Sequence, residues 1–169
     1  MTIQFNKDSG IGNVLLHWWQ GLENDRASRA ILRRASSITA VSLTSPYQRL
    51  YRRLLAAGWP EKAAPYQNDH LAAVAGLLAH VKQNDGRAPA KAMSQKDPGQ
   101  DRPPVSQLRF MRLLESPDLD ALFIGLRRAL PLAKHSVDVL TLANDVVHWG
   151  DAVKKRWAYS YEWPEKSKN

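Results

Sequence analysis

The sequence contains no cysteine. That excludes disulfides, a thiol nucleophile and thiolate-ligated zinc, and it fits a reducing compartment. Long hydrophobic runs are missing too. No apolar stretch approaches the roughly 20 residues needed to cross a bilayer, and the opening MTIQFNKDSG lacks the apolar segment of a signal peptide. A cytoplasmic protein with no membrane partner is expected. Strand-like alternation of useful length is absent, as is any internal repeat. The sharpest shortage is of acid: between Arg26 and Pro60 the chain carries seven arginines and not one carboxylate.

What is present suffices for a folded core. The chain has 169 residues, 44% of them hydrophobic, and a formal net charge of +8. Such a balance favours a polyanionic partner and says nothing about fold.

Apolar residues recur at helical spacing almost throughout. Val14, Leu15, Trp18, Trp19 and Leu22 mark a first helix, and Asp25 is placed to cap a second that carries Ala30, Ile31 and Ala35. Ser45-Pro46 reads as a capping hydroxyl followed by a first-turn proline, opening a helix through Tyr47, Leu50, Tyr51, Leu54 and Leu55 that Gly58 ends. A fourth helix runs from about Tyr66 to Lys82. After residue 105 come four more: one from Ser106 through Phe110 and Leu113, one opened by Ser116-Pro117 with Leu119, Leu122, Phe123, Leu126 and Leu130, one with Val137, Leu140 and Val147, and one with Trp149, Val153, Trp157 and Tyr161. Between the two sets, residues 84–105 hold four prolines and almost no large apolar side chain. They read as a mobile loop or linker. The expected fold is all-α, with about eight helices in two small lobes, residues 1–83 and 106–169, joined by the 84–105 loop.

The arginines fall on the polar sides of these helices, because residues three, four and seven apart share a face. Arg26, Arg29 and Arg33 form one such row, beside Arg34. Arg49, Arg52 and Arg53 form another. Arg109 and Arg112 lie beside Phe110, Arg127 and Arg128 lie outside the Leu126/Leu130 face, and Lys154, Lys155 and Arg156 lie between Val153 and Trp157. A solvated face usually mixes signs, since opposite charges four apart stabilise a helix by a few tenths of a kcal/mol and like charges cost about as much. Repeated acceptance of that cost, and the match of the planar guanidinium fork to phosphate oxygens, point to a phosphate backbone.

Chemistry of other kinds finds no support. The histidines His17, His70, His80, His135 and His148 show no metal-ligand spacing, so no metal and no cofactor are expected. No nucleophile elbow and no glycine-rich phosphate loop occurs. The acids Glu23/Asp25 and Asp118/Asp120 sit at helix starts, where the helix dipole explains them. The chain is not expected to be an enzyme. The six tryptophans could suggest a base-stacking platform, but the helical spacing of Trp149 and Trp157 with Val153 favours core, and Trp59 and Trp163, before prolines at helix ends, are expected to cover edges of the core. Residues 35–54 look superficially like a helix-turn-helix, but ten residues separate Arg34 from Ser45 where that motif has three or four. It leaves a free-standing helical DNA-binding regulator as the alternative function.

Several of these stretches together carry a family resemblance. SQLRFMRLLESPDLDALFIGLRRALPLA followed by LANDVVHWGDAVKKRWAYSY resembles the C-terminal region of the small subunit of the type I-E CRISPR surveillance complex Cascade, the CasB family. LHWWQGLENDRASRAILRRA resembles its opening Trp-bearing and Arg-Arg helices, and SPYQRLYRRLLAAGW its Pro-(Tyr/Phe)-x-Arg-Leu helix. The resemblance spans about residues 14 to 161. It implies an all-α, non-catalytic subunit of an antiviral complex, lying in two copies against the backbone and large subunits. There it would hold the hybrid of guide RNA and target DNA, and the displaced strand of the R-loop, through sequence-independent backbone contacts. The positions it carries over are Arg33, Arg34, Arg49, Arg109, Arg127, Arg128, Lys154 and Lys155, to which the helical faces add Arg29, Arg52, Arg53 and Arg112. The middle departs from the family pattern: AKAMSQKDPGQDRPP replaces a short basic-and-serine link, so Lys91 and Lys96 are not carried over.

Overall fold

The computed structural model describes residues 3–166. Among them are ten α-helices: α1 Gly10–Gly21, α2 Arg26–Arg34, α3 Ile38–Ser42, α4 Ser45–Ala57, α5 Pro65–Leu78, α6 Pro89–Ser94, α7 Gln107–Leu114, α8 Leu119–Leu132, α9 Val139–Val147 and α10 Asp151–Ser160. Two short strands, β1 Gln83–Asn84 and β2 Ser136–Val137, pair in parallel with Gln83 opposite Ser136. The fold is all-α as expected, with two helices more than the periodicity shows.

Local chemistry sets the helix ends. Asp25 caps α2 by accepting the Ser28 N–H, and Ser106 caps α7 by accepting the Arg109 N–H. Gly58 closes α4 with φ +118°, a left-handed conformation that favours glycine. Two caps fall elsewhere than expected. Thr44, not Ser45, caps α4, because Ser45 and Pro46 already occupy its first turn. Asp118, not Ser116, caps α8 by accepting the Ala121 N–H. In each case the residue one or two places away offers the better-aimed oxygen in extended backbone.

The segment 84–105, expected to be a loop, holds α6. Pro89 opens that helix, Ala90, Ala92, Met93 and Ser94 are buried, and Met93 and Val105 close against the core. The N–H of Val105 donates to the Met93 carbonyl, and the Tyr161 hydroxyl to the Val105 carbonyl. Small alanines supply the buried face here, so a search for large apolar residues passes over it.

Helix α5 is the axis of the molecule. Every residue from Leu71 to Val81 is buried, the pattern of a helix covered on all sides. Helices α2, α3, α8 and α9 pack around it. Gly76 permits the closest approach: a Cβ there would lie 2.8 Å from Val41 of α3 and 2.9 Å from Phe123 of α8. The hydrophobic core is continuous from Phe5 to Tyr161. The first described residues close over α9, where the Asn144 side chain accepts the Phe5 N–H and donates to the Phe5 carbonyl. After α8, Lys134 and His135 turn with positive φ, and the His135 carbonyl accepts the N–H groups of Lys82 and Gln83. That turn fastens the C-terminal end of α8 to that of α5.

Candidate nucleic-acid interface

The shortage of acid seen in the sequence persists in space. Three ion pairs form among the described residues: Arg87 with Asp85 at 2.6 Å, Lys134 with Asp97 at 2.9 Å and Arg156 with Asp145 at 2.9 Å. None uses any of the twelve candidate cations named above. Arg156 leaves the basic cluster of α10. Its partner Asp145 is buried and also accepts the Trp157 indole N–H at 2.8 Å, so Arg156 serves the core. Arg156→Gln is expected to lower stability by about 1 kcal/mol, since a half-exposed partner is lost from a buried carboxylate. Nucleic-acid affinity should stay within about twofold. Thermal melts and binding isotherms on the same preparation check both.

Five of the twelve cations come together along the C-terminal end of α2 and the faces of α7 and α8. Arg127 reaches back across the fold, and its Nη2 donates to the Arg33 carbonyl at 2.9 Å. Its guanidinium lies 5.8 Å from the centre of the Phe123 ring, which Gly76 seats against α5. A core contact thus fixes the arm of a surface arginine. Beside it a cleft of about 420 Å³ is lined by Ser36, His80, Ile124, Arg127 and Arg128. Arg128 and Ile124 also line a larger cleft of about 750 Å³ between α7 and α8, with Arg109 and Arg112 on its wall. One acid, Glu115, belongs to that wall, and Leu113 and Ala129 lie beneath it. Arg127, Arg128, Arg109 and Arg112 therefore line two joined clefts, with the backbone of Arg33 at one end.

Arg33 and the other seven do not line these two clefts. Arg34 is exposed at the end of α2, and Arg52 and Arg53 are exposed on α4. Arg29 is half-buried, with its Nε enclosed and unbonded. Arg49 turns toward the start of α2, where it approaches the Ser28 hydroxyl. Asp25 is held below the usual carboxylate range, chiefly by hydrogen bonds from Ser28 and secondarily by Arg49. On α10, Lys155 is exposed and Lys154 half-buried.

Sequence reasoning missed Ser36 and His80. His80 follows a run of apolar residues, so its burial is legible, but its meeting with Arg127 across 47 positions is not. Burial first, then the positive charges of Arg127, Arg33 and His135, hold its pKa down from 6.5 to about 4. A lowered folded value means that the unfolded chain takes up the proton first. Stability is therefore full above pH 6.5 and is lost as pH falls toward 4, by about 3 kcal/mol in all. His80→Gln is expected to flatten that part of the pH–stability profile, which denaturant melts across this window measure.

Among the described residues no group of three or more histidines and acids could hold a metal ion. No helix among them is long and apolar enough to cross a membrane. Trp18, Trp19, Trp59 and Trp157 are buried in the core, Trp149 is half-buried against it, and Trp163, expected to cover a core edge, is 42% exposed.

A family model described as CRISPR-associated protein Cse2 matches residues 28–161. One solved structure is similar in fold, with a TM-score of 0.65 and 21% identity over 86% of this chain and 89% of the other. It is a chain of the E. coli Cascade complex bound to a PAM-containing double-stranded DNA target. A comparison with curated protein sequences found no match.

Proposed function

This chain belongs to the CRISPR-associated protein Cse2 family, and from that premise we propose that it is a non-catalytic subunit of an RNA-guided CRISPR surveillance complex, holding nucleic acid by its phosphate backbone. The observation that carries this reading is the row from Arg33 through Arg127 and Arg128 to Arg109 and Arg112, whose side chains form no ion pair within the described residues. Guanidinium groups left without carboxylates suit phosphates brought by a partner. A subunit that leaves sequence reading to base pairing needs only such contacts.

In this reading the partners are guide RNA, target DNA, the backbone and large subunits, and a second copy of the chain. Residues 1–83 and 106–169 act as two lobes, the second packing α8 and α9 on α5 of the first, with the basic row near their seam. Arg29, Arg34, Arg49, Arg52, Arg53, Lys154 and Lys155 extend the contacts beyond the two clefts.

The test is binding of the purified chain to labelled strands of unrelated sequence across a salt series. About five phosphate contacts give a slope of log affinity against log salt near −4. The expected affinity is equal for all sequences. One preferred duplex site with little salt dependence would sink the proposal in favour of a free-standing regulator. Co-purification of repeat–spacer RNA and larger partner proteins from the native host tests membership of the complex.

A further inference from the structure

We propose that the cleft between the end of α2, the end of α5 and α8 is a seat for one internal phosphodiester group of a nucleic-acid strand, in which the His80 imidazole and the Ser36 hydroxyl complete what Arg127 and Arg128 supply. The proposal rests on the function given above and adds to it the residues of one particular contact.

Its ground is a coincidence of unbonded polar atoms. Four enclosed side-chain atoms among the described residues have no hydrogen-bond partner, and two of them, His80 Nε2 and Arg127 Nε, belong to side chains that line this one cleft. His80 is only 8% exposed, so water cannot freely serve its ring. A buried donor without a partner costs about 1–3 kcal/mol, which an arriving acceptor recovers. The backbone is committed elsewhere: the His80 carbonyl accepts from His135 Nδ1 at 2.7 Å. The main chain of His80 is thereby fixed at the cleft, while its ring Nε2 has no partner. Arg127 is held in the same way, by the Arg33 carbonyl and the Phe123 face, with its Nε unused.

The donor set suits a diester better than a terminal phosphate. A diester carries one negative charge, and two arginines already exceed it. An uncharged imidazole adds a hydrogen bond without a third full charge. The cleft is also not closed. It shares Arg128 and Ile124 with the larger cleft, so a strand seated over Arg127 continues toward Arg109 and Arg112.

Binding at this seat is linked to protons. The groups facing His80 are Arg127 and Arg128 from α8, Arg33 from α2 and His135 from the turn after α8. All are cationic or can become so, and a bound phosphate offsets them. The His80 midpoint should therefore rise on binding from about 4, and affinity should rise as pH falls through the raised midpoint toward 4.

The experiment follows the imidazole nitrogens of the full chain by NMR while pH is lowered, with and without a short single strand of oligothymidylate. The expected result is a His80 Nε2 resonance that moves on binding and a midpoint raised by about one unit, equivalent to a tenfold gain in affinity below both midpoints. The resonances of His17, exposed on α1, should be the same with and without the strand. Ser36→Ala, at an exposed position that does not disturb the fold, should weaken binding about threefold. A strand that binds while His80 stays unmoved overturns the seat and leaves the basic row standing. Inorganic phosphate that reproduces the full His80 shift at strand-saturating concentrations overturns the diester assignment. No strand binding at all overturns the seat together with the function beneath it.

Discussion

Reversing Arg127 and Arg128 together, as Arg127→Glu with Arg128→Glu, is expected to weaken binding of single- or double-stranded nucleic acid about a thousandfold at 0.1 M salt. The change removes two cations from the middle of the row and adds two anions, four units of charge at one place. Each neutralised phosphate contributes about 0.9 to the salt slope for duplex DNA, so the slope should fall by at least about two. The fold should survive, because both side chains project from α8 into clefts rather than into the core. One structural debt is expected: the Arg33 carbonyl loses its donor at 2.9 Å, at a cost of about 1 kcal/mol. Arg128→Glu alone is free of that complication and should weaken binding about thirtyfold. Lys154→Ala with Lys155→Ala, away from the two clefts, should cost less than tenfold. Fluorescence anisotropy over a salt series, with circular dichroism of each variant, reads all of these. A fall of less than threefold for the double reversal would remove α8 from the interface.

Phe110→Ala is expected to cost about 3–5 kcal/mol of stability, the largest effect of any single truncation considered. The Phe110 ring is fully buried and lies 4.1 Å from the Tyr161 ring, 5.7 Å from Trp163 and 6.4 Å from Trp157, centroid to centroid. It is the hub through which α7 grips α10 and the segment beyond it. Aromatic contacts of this kind add about 0.5–1.5 kcal/mol to the burial of area. Urea melts should show a lower midpoint with an unchanged slope, and near-ultraviolet circular dichroism should fall as the tryptophans lose their fixed surroundings. A loss below about 1 kcal/mol would mean that the cluster closes over the gap, and that α10 is held by Asp145 and Trp157 instead. The comparison with Arg156→Gln is informative because both act on α10, one through packing and one through charge.

Much of the fold was legible in the sequence for identifiable reasons. Helices α1, α2, α4, α5, α7, α8, α9 and α10 announce themselves by apolar spacing, and Asp25, Ser106 and Gly58 by their chemistry at the ends. What escaped was short or small-sided. Helix α3 has five residues and sits in a β-branched, serine-rich stretch, and α6 buries alanines where large residues were sought. The caps at Thr44 and Asp118 escaped because several neighbouring residues can each accept a helix N–H, and only the backbone entry decides among them. The candidate site divides in the same way. Its currency, unpaired arginine, is a property of composition and was readable. Its geometry depends on Arg127 meeting Arg33 and His80, contacts across 94 and 47 positions that no local pattern encodes. Arg156 shows the reverse error, a cation grouped by sequence with its neighbours and claimed in space by Asp145.

The helix at the centre has a consequence for how the chain is made. Residues 71–81 are buried on every side and apolar but for His80, and two of the helices packed on α5, α8 and α9, lie at residues 119–147. A ribosome adding about 5–20 residues each second leaves that rod partly bare for several seconds, without the cover of α8 and α9. Folding must then wait for the last third of the chain. Shortened products ending before residue 119 would expose the most adhesive surface of the molecule. The molecule is thus vulnerable to aggregation during synthesis rather than after release. Slower translation should lower the soluble yield, and supplying residues 106–169 as a separate chain should restore part of it.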